Sequence, residues 1–510
     1  MKRREFVKAV GAFGLTGLHA DARVLSQAHI HPAASGQMPS RQEIPLSKED
    51  IETNNQIRRE KFDLVLPEVM KKNGVDMWIH VMRETIPDPF GAEDLGSSSG
   101  VFVFTDRGGN RIERAVMERR WGDSFASATW RVTWDTKTVE TCGAYDIVEP
   151  AILVKEPSGP NQRMEYDLRF KGLRKFVEER DPKRIAINFK LKLGPYETTT
   201  KSLLAFDGLS HTDYLLLTQE LGPKYTERLE SSESVMMDYT IRRTKAEMEQ
   251  LKLIRSREDE AVRKSFGAIV PGVTRNREVG SRGTYGLEGG VTVFRREAPG
   301  ISQRGRTPGY ENLVIEGGDI IAAPSQGTYA YVLRKGETEP PAEIKKYWEL
   351  YRKVDEILKE TIKVGLTPRE IVKSYTPKFE AAGFIVKDEQ LQFSTPPEDY
   401  PAFSKGLDPT KPILNIDCHG MAKGARRTKY ENYFGPRIGS NGPLWTWDVP
   451  LPPYHHHVME YFFYMPWPSN EYKDQYLFFW DHEQVLVHPD TGIEYLSPMK
   501  KELQVISYRS

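Results

Sequence analysis

The residues of this 510-residue chain that could do chemistry gather near its end. Six of the 11 histidines, His419, His455, His456, His457, His482 and His488, lie between residues 419 and 488, together with Asp417, Asp481 and Glu483. Imidazole titrates near neutral pH and suits zinc, iron or copper, so two uses are open. One is a relocated mononuclear metal site built from these histidines and carboxylates. The other is metal-free: His419 as general base, Asp481, His482 or Glu483 orienting or tuning it, and Arg304, Arg306, Arg426 or Arg427 gripping a substrate carboxylate. A strand alternates its faces, so within the run His455–His457 only His455 and His457 would point together. Next to Pro452, Pro453 and Tyr454, that run reads as a solvated loop.

A second concentration is cationic. VFRREAPGISQRGRTP, residues 293–308, brings Arg295, Arg296, Arg304 and Arg306 close together. Guanidinium stays protonated and makes a poor base, but it forks well onto carboxylate or phosphate. The segment reads either as an anion-holding loop or as an exposed charged one.

The elements that must position these groups are legible in part. Gly317, Gly318 and Asp319 make a turn, Ile320 to Ala323 read as a short apolar strand, Pro324 to Gly327 break it, and Thr328 to Arg334 return. A helix starts at Thr244, with Glu247 at capping-box spacing and Met248, Leu251, Ile254, Ala261 and Val262 on one face. Pro341 to Val364 reads as a long amphipathic helix with Ile344, Tyr347, Trp348, Tyr351, Val354, Ile357 and Leu358 inward. Thr367-Pro368-Arg369-Glu370 caps the next, which stops at Ala382-Gly383. Ile413 to Cys418 and Val458 to Met465 are apolar strands, and Leu477 to Val487 is a third.

In the first half, residues 49–70 carry a helical stripe of Phe62, Val65, Leu66 and Val69, ending near Asn73-Gly74. A strand at Val75–Val81, a hairpin at Val101–Met117, a helix at Leu168–Glu179 and a strand at Arg184–Phe189 follow. Trp121 to Trp134 reads as a lid, a dimer contact or a surface hairpin. His80 and His211 read as structural, and Ser231–Ser234 as a polar, flexible join.

The hairpin ending in Arg-x-Gly, the Arg-x-x-Lys-x-x-x-Glu entry at Arg242 and the Gly-x-Thr-Pro turn resemble the creatinase and aminopeptidase P family of pita-bread hydrolases. The resemblance implies an α/β (α+β) fold of two domains, a creatinase-like domain at 48–235 and a pita-bread domain at 236–510. It also implies hydrolysis of a C–N bond in a small compound or peptide, and a homodimer. It puts metal-binding carboxylates where Pro324 and Val332 stand, a metal-binding His at His419, a Glu at Met465 and the last carboxylate at Asp481 or His482. Pro and Val offer no donor, and the chain has no histidine from Thr212 to Cys418 where the family's loop His belongs. A two-metal site is therefore not expected. Creatinase, which keeps the fold without metal, is the nearer likeness on that point. No cofactor is demanded; a divalent Zn, Mn or Fe is the one that His419, Asp481 and His482 would take. A family member kept only for binding, and an Xaa-Pro metalloaminopeptidase with relocated ligands, are the other readings.

Lys plus Arg and Asp plus Glu are both 72, so net charge gives no support for a nucleic-acid or membrane-surface partner. A small-molecule or peptide substrate is expected instead. Cys142 and Cys418 are the only cysteines, and they read as lone thiols or as one disulfide. The start, MKRREFVKAVGAFGLTGL, has Arg3 and Arg4 ahead of an apolar run too short to span a bilayer. It resembles a twin-arginine export signal. Residues 1–28 are thus expected to be removed on export to the periplasm or beyond, leaving a flexible tail at 29–47.

Overall fold

The first described element is a helix in three parts: α1 (Lys48–Glu60), a π turn (Lys61–Val65) and α2 (Leu66–Asn73). Phe62, Val65, Leu66, Val69 and Met70 form its buried stripe, as their spacing predicts. Gly74 ends it at φ 63°, and a Cβ there would stand 2.5 Å from Arg184 Nη1. The π turn places the Lys61 ammonium, itself buried, where it donates to Tyr239 O at 2.6 Å and Arg242 O at 2.8 Å. A buried ammonium without such acceptors would be strongly unfavourable.

This computed structural model describes residues 48–82, 90, 92–96, 100–117, 143–149, 170–189, 208–279, 292–294, 312–323, 327–388, 400–420, 435–439, 444–466, 476–497 and 502–508. The expected export signal and tail, Trp121–Trp134, Cys142 and Pro324 lie outside them. Lys48–Ser510 forms one compact unit. Among the described residues no helix is long and apolar enough to cross a membrane.

The first sheet has the order β4-β3-β2-β1-β5-β6, from β1 (Met77–Met82), β2 (Gly100–Asp106), β3 (Ile112–Met117), β4 (Ile147–Glu149), β5 (Ile185–Ile187) and β6 (Leu229–Ser231). Alternation gives it two apolar faces. Trp78, Phe102 and Phe104 meet the α1–α2 stripe, and Met77, Ile79, Val81 and Val103 meet α3 (Leu173–Glu178) and α4 (His211–Leu221). His80 is buried edge-on to Trp78 and Phe90. The stretch expected as a flexible join is ordered instead: Ser232 is buried, and α5 (Glu233–Ile241) follows at once. The serines misled because Val235, Met236, Tyr239 and Ile241 behind them join the same apolar cluster as Phe62 and Trp78.

α6 (Lys245–Gly267) begins in the expected capping box of Thr244 and Glu247. The second sheet runs β10-β11-β13-β14-β15, with β12 pairing to β11. Its strands are β10 (Ile385–Val386), β11 (Ile413–Gly420), β12 (Ile438–Gly439), β13 (His455–Pro466), β14 (Tyr476–His488) and β15 (Gly492–Tyr495). A third sheet, β16-β9-β8-β7, holds the expected hairpin as β8 (Ile320–Ala323) and β9 (Thr328–Val332), flanked by β7 (Thr292–Phe294) and β16 (Gln504–Ile506). Helices α7 (Ala342–Thr361) and α8 (Pro368–Ala381) share a core with this region, in which Tyr351, Val354, Leu358, Ile371 and Phe379 join Met459, Tyr461, Phe463 and Tyr329. Burying each such side chain stabilises by roughly 1.5–3 kcal/mol.

Replacing Gly74 by Ala is expected to lower the urea midpoint at unchanged m-value. The left-handed backbone alone costs about 1–2 kcal/mol for a residue with a Cβ, and Arg184 must also move. A midpoint within error of the parent would contradict this account of the α2 terminus.

Candidate functional site

Strands β11, β13 and β14 lie side by side, and their register assembles the site. His419 pairs with Val458, and Glu460 pairs with His482. Val458 and Glu460 are two apart on β13 and share a face, so His419, Glu460 and His482 project from the same side of three adjacent strands. One potential ligand atom from each lies within 4.8 Å of the other two. His419 Nε2 stands 3.2 Å from Glu460 Oε2. Trp480, two residues before His482, donates Nε1–H to Glu460 Oε1 at 3.1 Å. Its backbone is pinned in turn by the Tyr329 hydroxyl, which accepts from Trp480 N–H at 3.1 Å and donates to the Trp480 carbonyl.

The proton positions at His419 are constrained. Nδ1 lies 3.1 Å from the carbonyl oxygen of Gly420, which can only accept, so Nδ1 carries the proton. Nε2 therefore meets the Glu460 carboxylate either as a second N–H of an imidazolium or as a lone pair sharing a cation with it. Burial acts to raise the Glu460 pKa, but the His419 hydrogen bond and the charges of His482, His419 and Arg437 outweigh it and hold the carboxyl below its usual range. Asp417 is taken by Arg437, whose Nε and Nη2 each donate to it at 2.6 Å.

Asp481 and Glu483 alternate with His482 and leave β14 on the opposite face. Asp481 is paired with Tyr461, whose hydroxyl donates to Asp355 Oδ1 at 3.3 Å. Burial first, then repulsion among the neighbouring carboxylates, pushes Asp355 and Asp481 above the ordinary carboxyl range. Glu483 accepts from Arg255 Nη2 at 2.9 Å and from the Ser497 hydroxyl at 3.4 Å. Its Oε2 lies 2.7 Å from where a Gly327 Cβ would be. Neither carboxylate is thus placed to orient His419. Val332 lies among apolar side chains, and Arg304, Arg306, Arg426 and Arg427 lie outside the described residues.

The expected histidine loop is the first part of β13, and His455, His456 and His457 are all fully buried. They are held there by long pairing: every residue of β13 has a partner on β14. His455 Nδ1 donates to Ile241 O at 3.2 Å, and His456 Nε2 donates to Gln484 Oε1 at 3.1 Å. Neither nitrogen of His457 has a hydrogen-bond partner among the described residues. The rings of His455 and His457 do share a face, with centroids 5.2 Å apart. His488, at the far end of β14, accepts from Asp490 N–H at 3.2 Å.

Glu460 is the member of the cluster that sequence reasoning does not find. The family resemblance puts the strand's Glu at Met465, five residues further along β13. The available signal was a lone carboxylate in the apolar run VMEYFFYM.

No protein-family model and no curated protein matches the sequence. Solved structures do. An X-Pro aminopeptidase from Thermotoga maritima superposes with a TM-score of 0.50 at 14% identity, over 86% of this chain and 100% of that one. An Xaa-Pro dipeptidase from Bacillus anthracis gives 0.47 at 14% identity, over 89% and 100%. A prolidase from Pyrococcus furiosus gives 0.42 at 14% identity, over 86% and 100%. The chain is a two-domain α/β protein of the pita-bread class. Its fold is that of the creatinase and aminopeptidase P family, and at 14% identity to the first of these structures the likeness is one of fold.

The three core histidines set an acid limit. Burial is the first cause that lowers each, taking His455 to about 4 and His456 and His457 well below their ordinary value. A depressed folded pKa means the unfolded chain binds more protons, so this stability is complete above about pH 6.5 and is lost as pH falls toward 4. His455 alone accounts for roughly 3 kcal/mol. Urea midpoints are expected to fall steeply between pH 6.5 and 4, and His457→Leu to raise the midpoint at pH 5 and flatten the fall. A flat profile in the parent would overturn this.

Proposed function

We propose that the chain is an exported hydrolase that cleaves a C–N bond in a small compound or peptide at the face shared by β11, β13 and β14. The observation that carries this is the convergence of His419, Glu460 and His482 within 4.8 Å on one face, while the other carboxylates of these strands are engaged elsewhere. Breaking an amide-like bond requires an activated water and a proton for the departing nitrogen. Imidazole and carboxylate in contact, as at His419 and Glu460, can take a proton from water and return it. Trp480 fixes the carboxylate so that it presents one oxygen to His419. A divalent ion held there would act as a Lewis acid and lower the pKa of its water.

The fold likeness to an X-Pro aminopeptidase supports a peptide-like substrate. Export through the twin-arginine route rests on residues 1–28, a domain boundary near residue 236 on the Arg242 entry, and a homodimer on the family resemblance.

Assays of Xaa-Pro peptides and creatine test the reading. Turnover of at least one substrate is expected, with kcat/KM falling about 100-fold or more in Glu460→Gln and staying within about twofold in His488→Ala, as befits a surface substitution away from the site. Turnover indifferent to Glu460→Gln, or none with any C–N substrate, would leave a binding protein as the better description. Periplasmic recovery should fail when Arg3 and Arg4 are both changed to Lys.

A further inference from the structure

We propose that Tyr329 is a positioning residue for the hydrolysis: from the β8–β9 hairpin its hydroxyl fixes Trp480, and through the Trp480 indole it keeps Glu460 and His482 in place. That role belongs to the hydrolase reading; the placement itself stands on hydrogen bonds. The Tyr329 oxygen accepts from Trp480 N–H at 3.1 Å and donates to the carbonyl of the same residue. The N–H and C=O of one strand residue point the same way, so on Trp480 both turn away from β13 and toward Tyr329. β15 pairs with β14 over Val485–His488, farther along the strand. At Trp480 one phenol thus stands where a neighbouring strand would, and it satisfies both a donor and an acceptor.

The phenol is itself firmly placed. Its ring meets Tyr351 at 5.1 Å and Phe479 at 5.2 Å between centroids, and burial keeps the hydroxyl protonated so that it can donate. Trp480 carries the constraint to the site. Its Nε1–H reaches Glu460 Oε1 at 3.1 Å, its ring centroid lies 5.7 Å from that of His482, and Phe462 stacks beside it at 18°. With one carboxylate oxygen held by the indole, the other, Oε2, stands 3.2 Å from His419 Nε2. Tyr329 is 1% exposed, so its hydroxyl is no substrate contact. Deleting that hydroxyl nevertheless frees the stretch of β14 from which the indole projects, and displacing a reacting group by about 1 Å can cost about 100-fold in rate.

The test is Tyr329→Phe in the full-length chain, which deletes the hydroxyl and keeps the ring. With a C–N substrate that the parent turns over, kcat is expected to fall about 10–100-fold while KM stays within about twofold. In a Trp480→Phe background the same substitution should change kcat by less than about twofold, because residues that act through one another are not additive. A second readout needs no substrate. In protein labelled with fluorotryptophan, the fluorine resonance of Trp480, assigned by its disappearance in Trp480→Phe, should shift in Tyr329→Phe and in Glu460→Gln. Phe379→Leu, a core change whose ring neighbours are Tyr375 and Phe384, controls for lost stability and should leave both the resonance and kcat where they were. An unshifted resonance in Tyr329→Phe, a kcat loss that persists in full on the Trp480→Phe background, or the same shift in Phe379→Leu overturns the proposal. A shifted resonance without turnover of any C–N substrate leaves the hold of Tyr329 on Trp480 standing and defeats the hydrolase reading. Turnover with an unshifted resonance does the reverse.

Discussion

The register of β14 is the constraint on which the rest of the site depends. Side chains on a strand alternate, so placing His482 opposite Glu460 also sends Asp481 and Glu483 to the other face. A slip by one residue would exchange them. It would bring two carboxylates to the side of His419 and put an imidazole against the buried Asp355. Several contacts prevent the slip. Tyr329 bonds both backbone groups of Trp480, Arg255 holds Glu483, and β13 pairs along its whole length with β14.

The helix-facing side of these strands carries an unusual electrostatic load. Burial raises both Asp355 and Asp481, Glu483 raises each further and Asp355 also raises Asp481, and tyrosines 329, 351, 461 and 495 surround them with weak acids that burial keeps protonated. Glu483 stays compatible with burial because Arg255 is buried beside it and also binds Glu258 at 2.6 Å. Removing one partner of such a pair is far more costly than never having built it. These carboxylates are therefore part of the core, although the sequence presents them directly beside a histidine.

How much of this was legible follows from the range of each signal. The capping boxes at Thr244 and Thr367, the Gly74 terminus and the β8–β9 hairpin are local, and each sits where its residues indicate. So is the inward face of α7, whose seven predicted apolar positions are all buried. The pita-bread architecture was legible through the order of these signals. Of the three clustered residues, His419 and His482 were named from the sequence. Glu460 enters through a pairing between strands, which no local pattern encodes. The histidine run was misjudged because prolines before it suggested a loop, whereas β14 and α5 enclose it. Asp481 and Glu483 were picked by chemistry alone; strand parity decides against them.

Lys61 has a mechanical meaning for the two halves of the chain. Its ammonium ties the π turn of the first helix to the carbonyls of Tyr239 and Arg242, at the end of α5 and just before the capping box that opens α6. Any movement of the first helix away from this turn must rupture two charge-assisted bonds in a dry setting. The junction therefore behaves as a weld and not as a pivot, fastening the first helix to the turn from which α6 starts.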